Sequence, residues 1–384
     1  MADFVFILGN APKLALAELR AVLAAEVLLV GDHYALARLP AEIDVVALQR
    51  RLGGVVKIAQ VVEKLPADVD DATLLYRVSE QFLALNQEKL YLALGELGRD
   101  HREVLDVREL KTRLREHGLK VRFAECGRHG AGAALLTHQH QLQEMLVIAT
   151  GEQVLLAHTR SAQTIDDWSW RDRSKPYADR RKGMLPPKLA RMMVNLAGSS
   201  ETERVLYDPF CGTGTVLLEA AELGGFRLYG SDLDVKAVLG TQENLEWWQA
   251  ETGRQVVSKV WVSDVARARR TDLEGKMVDV IVTEPFLGRQ TPQPGQLANI
   301  FRGLQKLYWG AFRCWSDLLA DEAQVIIVMP RVCDERGREY SLDSLLDKLA
   351  DLGYNKISRE LSYARADAVV RREIAVFEFR REKR

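Results

Sequence analysis

The sequence predicts an α/β protein of more than one domain, whose second half forms a doubly wound, mostly parallel sheet. From Glu203 onward, short apolar runs alternate with helical segments, which is the pattern of parallel strands connected by helices. The first half orders its helices and strands differently, in a way that is typical of smaller α+β units. The 384 residues leave room for two or three such domains.

The composition is ordinary for a soluble protein, with 47% hydrophobic and 28% charged residues. No apolar run is long enough to span a bilayer, so we expect no membrane partner, and the first ten residues lack the basic start of a signal peptide. The cysteines lack C-x-x-C spacing, which argues against a zinc site or a disulfide framework and favours a reducing, cytoplasmic location. They are Cys126, Cys211, Cys314 and Cys333.

Residues 1–66 predict a ferredoxin-like domain. Apolar alternation, a proline at the start of one helix and an aspartate before the other indicate the order β-α-β-β-α-β. The predicted strands are Phe4–Leu8, Val27–Val30, Tyr34–Leu39 and Val55–Val62, and the helices begin at Pro12 and after Asp44. Nothing in this segment suggests catalysis.

Residues 67–160 predict a second α+β unit. Its predicted elements are the helices Thr73–Leu85 and Val107–Glu116 and the strands Leu90–Leu94, Val121–Ala124, Met145–Ile148 and Val154–Ala157. His138 and His140 have the spacing of a metal-ligand pair, but no carboxylate or thiol clusters beside them in the sequence. We therefore expect these histidines to be solvated or to face a nucleic acid, and we predict no metal site.

Residues 161–183 predict a basic linker before the last domain, 184–384. Trp168, Trp170 and Tyr177 are interleaved with its cations, and a cationic strip with aromatic rings suits phosphate contact and base stacking. A solvated linker with a few packed tryptophans is the alternative. The candidate nucleic-acid-binding residues are Arg171, Arg173, Lys175, Arg180, Arg181 and Lys182.

The last domain alternates predicted strands and helices. The strands are Val205–Tyr207, Leu228–Ser231, Lys259–Val262, Val278–Thr283 and Gln324–Met329, followed by a closing antiparallel pair, Ile357–Ser362 and Glu373–Phe379. The helices are Leu189–Leu196, Thr215–Leu223, Val235–Gln249, Asn299–Ala320 and Ser341–Leu352.

Three aspartates end three successive strands of this predicted sheet. Asp208, Asp232 and Asp264 therefore converge on its carboxyl edge, where open parallel sheets bind their ligands. An acid after the second strand can accept both ribose hydroxyls of an adenosine, and Asp232 is the first choice, ahead of Asp234. Each aspartate alone would be unremarkable as a helix cap.

The turn after the first of these strands contains Gly212 and Gly214, which allow close approach of a ligand to the backbone. It lacks the third glycine of a dinucleotide fingerprint and the lysine of a phosphate loop. Its sequence, D-P-F-C-G-T-G-T over residues 208–215, resembles motif I of class I methyltransferases that use S-adenosylmethionine (SAM) and act on nucleic acid. An ordinary strand–turn–helix is the alternative.

That resemblance implies a Rossmann-like, seven-stranded class I methyltransferase domain with SAM as its cofactor. In the family, the acid after the third strand, here Asp264, accepts a hydrogen bond from the adenine amino group. The implied cofactor-binding residues are Asp208, Pro209, Phe210, Gly212, Gly214, Thr215, Asp232, Leu233, Asp264 and Val265.

The fourth predicted strand ends in T-E-P-F-L-G, where amino-methylating relatives have Asp/Asn-Pro-Pro-Tyr/Phe. An exocyclic amine is a poor nucleophile, and two acceptors that bind its hydrogens aim its nitrogen at the methyl group, so that positioning supplies most of the rate. The base must also be unstacked. The corresponding catalytic residues are Glu284, Pro285, Phe286 and Leu287. Glu284 replaces the shorter acid or amide, and Leu287 replaces the aromatic residue.

The whole chain resembles the archaeal and eukaryotic tRNA guanine-10 N2-methyltransferases. The resemblance rests on these two motifs, on K-P-Y and G-M-L-P-P-K-L-A before the sheet, and on the opening F-V-F-I-L-G-N with A-E-L-R-A-V-L. It implies a THUMP RNA-binding domain over residues 67–160 and SAM-dependent methylation of the guanine 2-amino group in tRNA, with a small activator subunit in eukaryotic relatives. An inactive tRNA-binding protein, or methylation of another amine, is the alternative.

Overall fold

The computed structural model describes residues 1–23, 25–99, 104–179, 184–289, 294–358, 361–363 and 369–381. The chain divides into two compact units, Met1–Asp167 and Trp168–Arg384. The division falls inside the predicted linker, but residues 165–173 of that linker form a helix that was not predicted. Residues 180–183, at the end of the linker, lie outside the described residues.

The first unit is an α+β fold. Its strands are β1 (Ala2–Leu8), β2 (Val27–Gly31), β3 (Tyr34–Leu39), β4 (Val55–Pro66), β5 (Lys89–Leu97), β6 (Lys120–Phe123), β7 (Leu142–Ala149) and β8 (Gln153–Ala162). Its helices are α1 (Pro12–Val22), α2 (Val45–Arg51), α3 (Asp71–Leu83), α4 (Val107–Glu116) and α5 (Ala133–His138), and α6 (Ile165–Arg173) begins in it. The order β-α-β-β-α-β predicted for the first 66 residues is found, whereas α5 was predicted as a loop.

One sheet runs through the first unit. In the described residues its strand order is β2-β3-β1-β4-β8-β7-β5-β6. The long strand β4 pairs with β1 on one side, where Phe4 faces Gln60, and with β8 on the other, where Lys57 faces Ala162. The predicted boundary between residues 66 and 67 therefore lies at the end of a shared strand.

A buried ion pair ties the centre of this sheet to the loop after β6. The Lys57 ammonium of β4 lies 2.9 Å from a carboxylate oxygen of Glu144 on β7. Glu144 also accepts hydrogen bonds from the Ala131 amide and from the Thr159 hydroxyl, both at 2.6 Å. Because each buried charge has an oppositely charged partner, the pair compensates much of its desolvation cost.

The second unit alternates strands and helices as predicted. Its strands are β9 (Arg204–Asp208), β10 (Phe226–Asp232), β11 (Ser258–Val262), β12 (Val278–Thr283), β13 (Leu319–Cys333), β14 (Glu339–Tyr340), β15 (Tyr354–Lys356), β16 (Ser362–Tyr363) and β17 (Arg371–Phe379). Its helices, after α6, are α7 (Pro187–Asn195), α8 (Thr215–Leu223), α9 (Val235–Thr252), α10 (Leu297–Leu318) and α11 (Leu346–Ala350). No helix within the described ranges is long and apolar enough to cross a membrane.

The sheet of the second unit follows the order β11-β10-β9-β12-β13-β17-β15 along its main path. Five neighbouring strands are parallel, namely β11, β10, β9, β12 and β13, and β17 runs antiparallel to β13. The mixed α/β fold is confirmed, but the predicted strand Ile357–Ser362 is not one continuous strand. Ile357 and Ser358 follow β15, residues 359–360 lie outside the described residues, and β16 begins at Ser362. The amide of Ile357 and the hydroxyl of Ser358 both bond to the backbone of Val376.

A buried carboxylate joins three helices of the second unit. Glu219 of α8 accepts hydrogen bonds from Nε of Arg171 on α6 and from Nε of Arg191 on α7, both at 2.8 Å. Both guanidinium groups also lie over the ring of Trp168. Arg171 is buried and its charge is neutralised inside the protein, and its role in binding nucleic acid stays a prediction.

We predict that Glu219→Ala destabilises the second unit by about 3–5 kcal/mol, because it leaves two buried guanidinium groups without their counter-ion. All seven tryptophans lie at residue 168 or beyond, so tryptophan fluorescence during urea unfolding measures this unit. Glu243→Ala, an exposed glutamate of α9, is the control and should change stability by less than about 0.5 kcal/mol. Equal unfolding midpoints for the two variants would contradict the role of this network.

Candidate functional site

The glycine turn between β9 and α8 has the backbone that only glycine adopts easily. Gly212 and Gly214 have φ values of +53° and +75°. A Cβ atom on Gly214 would lie 2.8 Å from Cγ2 of Thr241 on α9, so the turn is also closely packed. The helix begins at Thr215, as predicted, and its first amide groups are available to a ligand at the end of the strand.

Asp208 lies buried where the turn begins. Its Oδ1 accepts hydrogen bonds from the hydroxyl of Thr283 on β12 at 2.6 Å and from the amide of Phe210 at 3.2 Å. Burial, with a smaller effect of the charges of Asp232 and Glu284, raises the pKa of the Asp208 carboxyl to about 7, against the effect of the Thr283 hydrogen bond. A carboxyl with this pKa changes its protonation near neutral pH.

Asp232, at the end of β10, supports the turn from the neighbouring strand. Its Oδ2 accepts a hydrogen bond from the amide of Gly212, and its Oδ1 accepts one from the amide of Asp234, both at 3.0 Å. Leu233, the next residue, is 73% exposed. The structure thus brings Asp208 and Asp232, two of the three predicted acids, to the glycine turn.

The third acid, Asp264, is exposed and lies beyond the end of β11. It caps a short 3-10 helix over Val265–Arg267 and accepts a hydrogen bond from the amide of Ala266 at 3.0 Å. Val265 is buried, whereas Val262 at the end of β11 is 47% exposed. Asp264 therefore has the capping role that the sequence also allowed, beside an exposed apolar side chain.

Glu284 follows β12 and is held by an arginine that the sequence analysis did not single out. Nε of Arg372, on β17, donates to its Oε1 at 2.5 Å. Burial raises the pKa of the Glu284 carboxyl, and the charge of Arg372 opposes that shift. Glu284 directly follows Thr283, whose hydroxyl bonds to Asp208, so Glu284 and Asp208 lie at the ends of adjacent strands.

The three residues after Glu284 differ in accessibility. Pro285 is buried, Leu287 is half-buried, and Phe286 is 61% exposed. Exposure of Phe286 leaves an aromatic face available to a planar ligand.

Arg372 could not be recognised in the sequence as a partner of Glu284, because it belongs to an arginine-rich segment 88 residues away from Glu284.

The basic linker supplies buried contacts to the turn in its described part. Lys175 is 4% exposed, and its Nζ donates to Oγ1 of Thr215 at 3.2 Å. The amide and carbonyl of Tyr177 bond to the side chain of Asn244 on α9 at 2.8 and 2.9 Å. The ammonium group of Lys175 is thus enclosed beside the glycine turn, and its contact with nucleic acid stays a prediction.

The other linker cations divide between the surface and the undescribed part of the chain. Arg173 is exposed, at the end of α6. Arg180, Arg181 and Lys182 lie outside the described residues, so their predicted contacts stay predictions.

Comparison with known proteins connects this site to methyltransferases. Residues 176–326 match the UPF0020 family model, described as an RMKL-like methyltransferase domain. The chain is 37% identical over 166 residues to the tRNA (guanine(10)-N2)-dimethyltransferase of Methanothermobacter thermautotrophicus, an alignment that covers 43% of this chain and 42% of that protein. The chain thus spans less than half the length of that relative.

Two further matches differ in what they cover. A sequence from Methanothermococcus thermolithotrophicus, named "Probable tRNA (guanine(10)-N2)-dimethyltransferase", is 38% identical over 117 residues, which are 30% of this chain and 70% of that sequence. The crystal structure of TrmN from Thermus thermophilus has a TM-score of 0.54 and 18% identity, and covers 99% of this chain and 100% of that chain. At this identity, the match to TrmN supports the fold alone.

We predict that the buried carboxyl of Asp208 makes the second unit less stable as pH rises from about 4 to 7. In this window the folded protein keeps a proton that the unfolded chain, with a pKa of 3.8, has released. Stability falls wherever the folded state binds more protons, here by an amount on the order of 4 kcal/mol over the whole window.

Asp208→Asn should remove this part of the pH dependence, whereas Thr283→Val should extend it to higher pH, because it removes a hydrogen bond that lowers the pKa. Urea unfolding followed by tryptophan fluorescence at several pH values measures both effects. A pH profile of Asp208→Asn that is parallel to that of the wild type would show that Asp208 does not hold this proton.

Proposed function

Because the chain belongs to the family of the tRNA (guanine(10)-N2)-dimethyltransferases, we propose that it transfers methyl groups from SAM to the 2-amino group of a guanine in tRNA, at position 10. The observation that carries this proposal is the position of Asp208 and Asp232 at the glycine turn, with Glu284 directly after Thr283, which bonds to Asp208. Acids at this edge of a parallel sheet suit a nucleoside ligand and an amine substrate.

The residues at the sheet edge fit the proposed cofactor. A side chain at Gly214 would collide with Thr241, so the turn presents bare backbone to a ligand. Leu233 and Val262 expose apolar surface beside Asp232 and Asp264, which suits the faces of an adenine ring. We infer that Pro209, Phe210, Gly212, Thr215 and Val265 complete this cofactor site, as the family resemblance implies.

The bound donor would supply an electrophilic methyl group. The chain itself would position the base: the Glu284 carboxylate and the Pro285 carbonyl accept the two hydrogens of the amine, and Phe286 offers its exposed ring for stacking. Arg372 would favour the ionised form of Glu284, because its positive charge opposes the rise in the carboxyl pKa that burial causes. Leu287 would add an apolar contact where relatives have an aromatic ring.

We assign tRNA binding to the first unit together with the exposed part of the linker. Residues 1–66 would form a ferredoxin-like part and residues 67–160 the THUMP part, which share one sheet. Arg173, with Arg180, Arg181 and Lys182 as predicted from sequence, would contact tRNA phosphates. The exposed free cysteines Cys126 and Cys333 fit the reducing cytoplasm in which tRNA is modified.

A second candidate function is tRNA binding without catalysis. Two observations favour it: the Glu284 carboxylate is already engaged by Arg372, and Leu287 stands in place of an aromatic residue. Calorimetry with SAM separates the two functions, since a chain that does not bind SAM at millimolar concentration cannot be the enzyme. Nuclease digestion and mass spectrometry of treated tRNA identify the methylated amine if another base is the substrate.

We predict that Glu284→Ala lowers the rate of methyl transfer at least about 100-fold, because it removes one of the two acceptors that orient the amine. The measurement is tritium transfer from labelled SAM to unmodified tRNA. Glu243→Ala, on the surface of the same unit, should leave the rate unchanged. Undiminished transfer by Glu284→Ala would refute the proposed role of this residue.

A further inference from the structure

The ammonium group of Lys175 is enclosed in the second unit, with no anionic partner among the described residues. Lys175 is 4% exposed and donates one hydrogen bond, to the neutral hydroxyl of Thr215. Within the described part of the chain, no carboxylate lies within ion-pair distance of its Nζ. Burial lowers the pKa of Lys175, against the effect of the more distant Asp172 and Glu219 carboxylates.

Other buried cations of the chain are neutralised. Arg171 and Arg191 share the Glu219 carboxylate, and Lys57 is paired with Glu144. A buried charge with only a neutral partner is costly, because a hydroxyl replaces little of the hydration that the ammonium loses. The charge of Lys175 is therefore not neutralised by the described residues.

The position of Lys175 limits which ligand can neutralise its charge. Its Nζ contacts Thr215, the first residue of α8, and Oγ1 of Thr213 lies 3.3 Å from Oγ1 of Thr215. The first turn of a helix also presents amide groups without intrahelical acceptors. A cation, hydroxyls and free amides next to a glycine turn together suit a small anion, and the enclosed position does not suit the phosphate backbone of a polynucleotide.

We propose that Lys175 is the counter-ion for the carboxylate of the amino-acid part of the bound methyl donor, with Thr213 and Thr215 beside it. Lys175 is then a positioning residue that fixes the donor from the side of the linker, and it has no role in binding RNA. This inference rests on the proposed function, because it needs a donor that carries an amino-acid group.

The test compares two ligands by calorimetry. S-adenosylhomocysteine carries the amino-acid carboxylate, whereas 5′-methylthioadenosine lacks the amino-acid part. We expect Lys175→Met to weaken S-adenosylhomocysteine about 10- to 100-fold, the range for loss of a charge-assisted hydrogen bond, and to change 5′-methylthioadenosine less than about 3-fold. Lys306→Met, an exposed lysine of α10, is the matched control and should change neither affinity.

The ligand-free stability separates binding from structure. Because Lys175→Met removes an uncompensated buried charge, its thermal midpoint without ligand should equal or exceed that of the wild type. A lower midpoint with equal weakening of both ligands would mean that Lys175 is merely structural, and an unchanged affinity for S-adenosylhomocysteine would also overturn the proposal.

A wild-type measurement covers the case in which the variant does not fold. The decarboxylated analogue of S-adenosylhomocysteine should bind the wild type at least about 10-fold more weakly than the parent compound. Equal binding would overturn the role of Lys175 and leave the proposed function intact. If the wild type binds neither S-adenosylhomocysteine nor 5′-methylthioadenosine, the proposed function itself fails.

Discussion

The hydrogen bond between Asp208 and Thr283 is the contact on which the candidate site depends. It joins the ends of β9 and β12, the two central parallel strands of the second unit. From this pair the chain continues outward in opposite directions, to β10 on one side and to β13 on the other, and ligands of open sheets bind at such a point. One buried bond therefore fixes the glycine turn relative to the strand that leads into Glu284.

The buried charges of this unit fall into two groups: those that are paired between helices, and those at the ligand-binding edge of the sheet that lack an opposite charge among the described residues. The carboxylate of Glu219 neutralises cations from two other helices, so the packing around α8 is independent of any ligand. At the edge, in contrast, Asp208 is buried with a raised pKa and Lys175 is enclosed beside a neutral hydroxyl. Groups that are costly in the isolated protein are the ones that a bound ligand can stabilise, and perturbed carboxyl groups concentrate at such sites.

The sequence predicted the elements that depend on local chemistry. Glycines that need positive φ angles, followed by an apolar run, placed the start of α8 at Thr215, and an aspartate before an apolar run placed the cap of α2 at Asp44. Helix α5 was missed because its six residues are too few to show a helical period, and helix α6 was missed because most of its residues are polar. Strand Ile357–Ser362 failed because pairing with β17, and not local propensity, decides where β15 ends.

The side chains of the site were harder to predict than its backbone. Arg171 and Lys175 belong to a run of cations, and nothing in the run indicates which of them the fold encloses. Their surroundings are set by Glu219 and Thr215, 48 and 40 residues further along the chain. The same holds for Arg372, whose partner Glu284 is a tertiary neighbour from another strand. The sequence pattern predicts which strands end in acidic residues. The side chains that contact those acids come from distant parts of the chain and are known only from the fold.

The continuous strand β4 has a consequence for how the first unit could have arisen and could be engineered. Strand β4 pairs with β1 on one edge and with β8, from beyond residue 66, on the other. A fragment that ends at residue 66 would therefore expose an unpaired edge of β4, which favours aggregation. The first 66 residues are accordingly not a domain that can be transferred alone. A fusion of this unit to another enzyme would have to include all eight strands of the sheet.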